Sequence, residues 1–199
     1  IFDWPRYKRS DETGLLTAEM KANYAALVSM CDEYFGKLLS YFDTHNLWRD
    51  TALVLTTDHG FMLDEHEWWG KNRMPFFNEI ANIPLLFYHP NYSDLSGSRR
   101  YALTQVTDIM PTILEMFNEP PTPLIEGKSL IPILSKDHKI RDAAMYGMFG
   151  AGTNITDGKY TYFKYPDDMT ETDLFDYTLM PMRQKSLYEI EVLSETTLV

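Results

Sequence analysis

The sequence predicts an α/β protein, an α/β core followed by a smaller α+β lobe at its C-terminal end. Three observations point there. One long segment repeats apolar side chains at three- and four-residue spacing, the period of a helix face. Two short aliphatic runs are apolar on both faces, as buried strands are. The last third of the chain alternates like antiparallel strands around an Asp-Gly turn. The order helix, strand, loop, strand, helix, antiparallel strands fits a layered core with an appended lobe, divided at 1–139 and 140–199.

Residues 1–16 are polar and read as an arm or loop. The helix is expected over residues 17–43, because Met20, Tyr24, Leu27, Cys31, Tyr34, Leu38 and Tyr41 form one stripe. Thr17 is its candidate cap, and Gly36 admits close helix–sheet packing. The first strand is expected over 51–57 and ends at Asp58-His59-Gly60. The second is expected over 84–89, and the pair reads as parallel and buried. Residues 60–82 read as a long polar and aromatic loop, a length that is usually functional. A second helix is expected over 108–117 with Pro111 in its first turn, where a missing N–H costs nothing, and Pro120, Pro121 and Pro123 end it. Strands are expected over 143–148 and 159–164, with Asp157-Gly158 as the hairpin turn and a final short strand over 186–190.

The 199 residues carry a net charge of -11, a surface that repels phosphate backbones and argues against nucleic-acid binding. No run of about 18 apolar residues is present, so no transmembrane helix is expected. The first residues show neither a signal peptide nor an initiator Met, which suggests a piece of a longer protein. The single Cys31 rules out an internal disulfide framework and a cysteine-rich zinc site. Asn91-Tyr92-Ser93 and Asn154-Ile155-Thr156 fit the glycosylation acceptor pattern, which also arises by chance.

The chemistry concentrates in residues 57–71. In open α/β sheets, ligands bind beyond the carboxyl ends of strands. Asp58 and His59 lie at such an end, where a carboxylate and an imidazole can face one cation, and Gly60 permits a sharp turn. Taken alone, those three residues fit a turn cap and an ordinary loop histidine better than a cation site. His66-Glu67-Trp68-Trp69-Gly70-Lys71 adds a lysine wrapped in tryptophans. Lys71 would set a fixed positive charge against an anion's oxygens, or else lie solvated on the surface.

Residues 57–71 resemble the second-half signature of sulfatases, which runs S/T-D-H/N-G, then G-D/E-H, then W-x-K. Four further segments resemble that family in the same order: the helix around Tyr24 to Gly36, Asn82-Ile83-Pro84-Leu85-Leu86-Phe87, Val106-Thr107-Asp108-Ile109-Met110-Pro111-Thr112-Ile113-Leu114, and Gly127-Lys128-Ser129-Leu130-Ile131-Pro132-Ile133-Leu134. Asp157-Gly158-Lys159-Tyr160 fits the family's late hairpin, and Leu187-Tyr188-Glu189-Ile190-Glu191 comes close to its usual ending. The resemblance implies an alkaline-phosphatase-like α/β/α sandwich. Residues 1–139 would be the C-terminal part of its catalytic core and 140–199 a small α+β subdomain.

By the same resemblance, Asp58 and His59 are metal ligands, and Lys71 and His66 are the candidate catalytic residues. Lys71 would contact the sulfate oxygens, while His66 would touch substrate or pack behind it. The cofactor is a divalent metal ion: calcium first by resemblance, manganese or magnesium as alternatives, with His59 leaning away from calcium. The partner is a sulfate-ester small molecule or a sulfated glycan. The family's paired aspartates and its formylglycine precursor, C/S-x-P-S-R, do not occur here, so the site needs an upstream half. Cys31 precedes Asp32-Glu33-Tyr34, and its place on the stripe predicts core packing. Two other functions stay open: a phosphonate monoester or phosphodiester hydrolase of the same superfamily, and a non-catalytic domain.

Overall fold

The computed structural model describes residues 8–71, 74–148 and 152–165. The expected arm is already structured there: Lys8–Arg9 (β1) is a two-residue strand. Helix α1 follows at Gly14–His45, with Thr13 rather than Thr17 at its N-cap. It stops where Asn46 takes the left-handed conformation at φ 54°, and the Asn46 N–H donates to the carbonyls of Asp43 and Phe42.

The stripe on α1 is not the buried face. Met20 and Phe42 are buried, and Phe35 and Leu39 turn toward the sheet, whereas Leu27, Tyr34 and Tyr41 are more than half exposed. Residues 35, 39 and 42 lie about a fifth of a turn round the helix from the stripe's centre, whereas Met20 belongs to the stripe and is its one buried member. Cys31 follows the stripe and is exposed, which corrects its expected core role. Gly36 is equally open: a Cβ added there would meet nothing within 4 Å, so it serves no close packing.

The two aliphatic runs form strands Leu53–Thr56 (β2) and Leu85–Tyr88 (β5). They pair antiparallel, Leu53 opposite Tyr88 and Thr56 opposite Leu85, not parallel as expected. Apolar residues on both faces report cover, not strand direction, and the two-strand sheet here is only half buried. Phe42, Trp48 and Tyr88 stack in a chain at 4.8 and 4.7 Å between ring centroids, and the Tyr88 hydroxyl donates to the Trp48 carbonyl at 2.6 Å. That chain ties the end of α1 to β5 across an open apolar hollow of about 280 Å³.

The long loop is ordered into short pieces. Met62–Leu63 (β3) and Trp68–Gly70 (β4) pair antiparallel, and β1 adds on the other side of β4. Trp69 is fully buried, and its indole N–H donates to the Glu12 carboxylate at 2.8 Å. A single helical turn, Asn78–Ala81 (α2), closes the segment. Met62, Met74 and Ile80 form the core beneath it, flanked by Trp68, Phe76 and Phe77.

Helix α3 spans Ile109–Met116 behind a 3-10 turn at Val106–Asp108, matching the expected second helix. Helix α4 at Ile131–Lys136 went unread in the sequence, because Pro132 and two serines masked its short apolar face. Strands Ala144–Gly147 (β6), Thr153–Thr156 (β7) and Thr161–Lys164 (β8) form an antiparallel sheet in that order. Asp157 and Gly158, at φ 91°, turn β7 into β8 as expected. Strand β7 is the unpredicted member, short and built from Thr, Asn and Ile. It holds the second acceptor sequon, and Asn154 is only 1% exposed, so no glycan can sit there. The strand expected over 186–190 lies outside the described residues.

Candidate functional site

The site begins where β2 ends. Beyond Thr56 the chain leaves the sheet, and Asp58 curls back on its own backbone. Its Oδ1 accepts the N–H of His59 at 2.9 Å and the Thr57 hydroxyl at 3.2 Å. The His59 N–H is the largest influence holding this carboxyl below its ordinary value, with the nearby imidazole and the hydroxyl adding to it against some desolvation. Asp58 therefore presents a charged, solvent-facing carboxylate at the sheet's end.

Gly60 is required by space, not by a positive φ. A Cβ there would fall 1.8 Å from the Glu79 carbonyl oxygen. The Gly60 N–H donates to the Ile80 carbonyl at 2.8 Å, so the loop's first turn is bolted to α2.

The His59 ring is oriented from both ends. Nδ1 lies 2.9 Å from the Gly60 carbonyl, an acceptor only, so Nδ1 carries the hydrogen and Nε2 presents a lone pair. Nε2 is 3.2 Å from Asp58 Oδ2. Two lone pairs side by side call for a cation between them, and the Lys71 ammonium lies against Nε2. Lys71 reaches it because β4, anchored by buried Trp69 between β1 and β3, delivers it back to the point where β2 ended. Gly70, at φ 87°, makes that exit turn.

Asp58, His59 and Lys71 thus converge. His66 makes other contacts. Its ring stacks on Phe77, with centroids 3.9 Å apart, and Nε2 lies 3.3 Å from Glu79 Oε1. Glu79 belongs to the turn that packs on Gly60. Asp64, His66 and Glu67 all hold positive φ, at 78°, 52° and 62°. Such backbone costs of order 1–3 kcal/mol per residue and clusters at functional sites. Phe77 and Glu79 carry no motif signal; only the close approach that Gly60 allows links them to the site.

The donor set fits part of a cation site. Metal-bound histidines commonly donate their other ring N–H to a carbonyl, as His59 does to Gly60, and Asp58 Oδ2 stands beside Nε2. Among the described residues no cluster of three or more His, Cys, Asp or Glu gathers, so Asp58 and His59 are two candidate donors.

The family model for Sulfatase matches residues 3–119, and that for N-sulphoglucosamine sulphohydrolase, C-terminal, matches residues 64–198. The chain is 30% identical over 118 residues to the multifunctional alkaline phosphatase superfamily protein PehA of Trinickia caryophylli, covering 59% of this chain and 23% of that protein. It is 27% identical to an N-acetylglucosamine-6-O-sulfatase of Bacteroides thetaiotaomicron, covering 92% of this chain and 35% of the relative. Arylsulfatase K of Xenopus laevis is 28% identical, over 82% of this chain and 32% of its own length. A solved structure, BT4656 in complex with its substrate D-glucosamine-2-N,6-O-disulfate, superposes with a TM-score of 0.69 at 26% identity, over 83% of this chain and 36% of that one. The chain spans about a third or less of the length of the curated relatives it matches. With both family models covering more than half of it, and with the Asp-His-Gly and Lys71 elements brought to one point, the chain belongs to the sulfatase family of the alkaline phosphatase superfamily.

Proposed function

We propose that this chain supplies one side of a sulfate-ester hydrolase site: two metal ligands, Asp58 and His59, and an anion-binding lysine, Lys71. The observation that carries it is the convergence of Asp58 Oδ2, His59 Nε2 and Lys71 Nζ at the end of β2. A divalent ion bound there polarises the sulfuryl group and stabilises the attacking oxygen as an anion. Calcium stands first by kinship, with manganese or magnesium as alternatives, and the imidazole of His59 leans away from calcium toward manganese or zinc.

The rest falls to the chain's own residues. Asp58 stays ionised because its carboxylate is hydrogen-bonded from the His59 N–H and the Thr57 hydroxyl. The Gly60 carbonyl fixes the His59 ring so that Nε2 faces the same point. Lys71 reaches the same point; with an ion on the single Nε2 lone pair, its ammonium would be displaced from that contact and left to meet the transferred group's oxygens, where charge stabilisation is worth most. His66, braced by Phe77 and Glu79, would touch substrate or pack behind it from the same loop. The nucleophile and the remaining ligands would come from an upstream half, with a formylglycine as the attacking group. A sulfated sugar is the favoured substrate class, supported by the N-acetylglucosamine-6-O-sulfatase relative and the glucosamine disulfate complex.

The test is Lys71→Ala in the full-length enzyme, expected to lose roughly 10²–10³ in kcat/KM on a sulfate ester, the scale of one electrostatic stabiliser. Full activity in that variant would end the proposal. A second reading, a phosphonate or phosphodiester hydrolase of the same superfamily, is favoured by a histidine in the ligand pair. Paired assays on aryl sulfate and aryl phosphonate esters separate the two, a large phosphonate preference deciding for the second.

A further inference from the structure

Residues 64–67 hold a backbone that is unfavourable without outside support, and the structure shows where support comes from. Phe77 lies between two other rings. On one side it stacks on His66 at 3.9 Å; on the other it meets Phe163 of β8 at 6.2 Å. One residue back, the Phe76 carbonyl accepts the Asn154 side-chain N–H of β7 at 2.9 Å, across 78 residues of sequence. Asn154 and Phe163 are register partners in adjacent strands, so one cross-strand pair grips both Phe76 and Phe77.

Asn154 is a poor choice for stability alone. It is 1% exposed, and its Oδ1 has no hydrogen-bond partner. An orphaned buried acceptor costs free energy that an apolar side chain of similar size would not. The donor to Phe76 is what the residue contributes in return.

We propose that Asn154 and Phe163 are positioning residues for His66: the β6–β8 sheet clamps Phe76–Phe77, and Phe77 holds the His66 imidazole at the site. This rests on the reading of Lys71 and His66 as site residues. Neither Asn154 nor Phe163 touches substrate. They act through the Phe77 ring, so their loss loosens one side chain of the site and leaves Asp58, His59 and Lys71 in place.

Two variants of the full-length enzyme test it, Asn154→Leu and Phe163→Leu. Asn154→Leu keeps the branched shape but removes both the orphaned acceptor and the donor to Phe76, so its melting temperature is expected to change little while kcat/KM on a sulfate ester falls about tenfold, the scale of a small misplacement. Phe163→Leu is expected to fall similarly. In a His66→Ala background, each substitution is expected to change kcat/KM by less than about twofold, because the side chain they position is gone. Losses of the same size in both backgrounds, or unchanged activity in both single variants, would overturn the proposal, as would a His66→Ala enzyme with full activity. Each of those outcomes with Lys71→Ala inactive sinks the positioning role alone; an active Lys71→Ala enzyme sinks the site itself.

Discussion

The ammonium of Lys71 lies against Nε2 of His59, while the opposite ring nitrogen faces the Gly60 carbonyl. Eleven residues, containing a two-strand pairing and four residues of positive φ, separate the two partners. The contact turns the end of β2 into a place where a cation is already favoured, and it fixes which histidine nitrogen is open.

That tautomer can be observed directly. Nitrogen NMR of the labelled protein is expected to show hydrogen on Nδ1 and none on Nε2 of His59. In Lys71→Ala the Nε2 signal is expected to shift, since its donor is lost, while Nδ1 stays bound to the carbonyl. Hydrogen on Nε2 in the parent protein would reverse the assignment and remove His59 from the ligand pair.

Gly60 has no room to grow. Gly60→Ala would drive a methyl group into the Glu79 carbonyl, and overpacking of this kind typically costs about 1–3 kcal/mol. Denaturant unfolding should report that loss, and kcat/KM should fall with it, because the same contact sets the path of Asp58 and His59. A variant as stable and active as the parent would mean that α2 can move away freely.

Asp108 and Arg141 form the most buried ion pair among the described residues, 0% and 7% exposed at the side chain. Asp108 also accepts the backbone N–H groups of Gln105 and Lys128 at 2.7 and 2.8 Å, so one carboxylate joins the start of α3, the approach to α4 and the approach to β6. Asp108→Ala leaves a buried guanidinium without its partner, and breaking such a pair costs about 3–5 kcal/mol. Chemical denaturation should show it. Since this pair lies apart from the loop, any folded fraction should keep its kcat.

Asp157 shapes the β7–β8 turn by accepting the N–H groups of Tyr160 at 2.7 Å and Lys159 at 2.8 Å. The Tyr160 N–H, then that of Lys159, holds its carboxyl below the ordinary value of 3.8. A depressed native value means that its contribution is complete above 3.8 and fades as pH falls through the lower native value. Asp157→Asn should therefore lower the melting temperature slightly at neutral pH and flatten its decline in acid. Parallel pH curves for parent and variant would contradict the turn's dependence on charge.

Much of this was readable in advance for definite physical reasons. The α1 helix, the two aliphatic strands, the Pro111 helix and the Asp157-Gly158 turn each carry a local signal that tertiary packing did not override. Strand direction was not readable, because an apolar residue in β2 looks the same beside a parallel or an antiparallel neighbour. The burial of Cys31 was misread for a related reason: periodicity locates an apolar stripe but not the side from which its cover comes. Asp58, His59 and Lys71 were singled out because Asp58 and His59 follow a strand end and residues 57–71 resemble the sulfatase signature. Phe77, Glu79 and Asn154 were missed because their roles depend on one close approach and one pair of adjacent strands, and neither leaves a spacing in the sequence.

The most direct measurement is divalent-metal affinity, with sulfate-ester turnover alongside, in full-length Asp58→Ala. If Asp58 and His59 face one cation, affinity should fall at least about tenfold, the size seen when even a supporting residue of a metal site is lost, and turnover should fall with it. Unchanged affinity and unchanged turnover would contradict the placement of the metal at the end of β2.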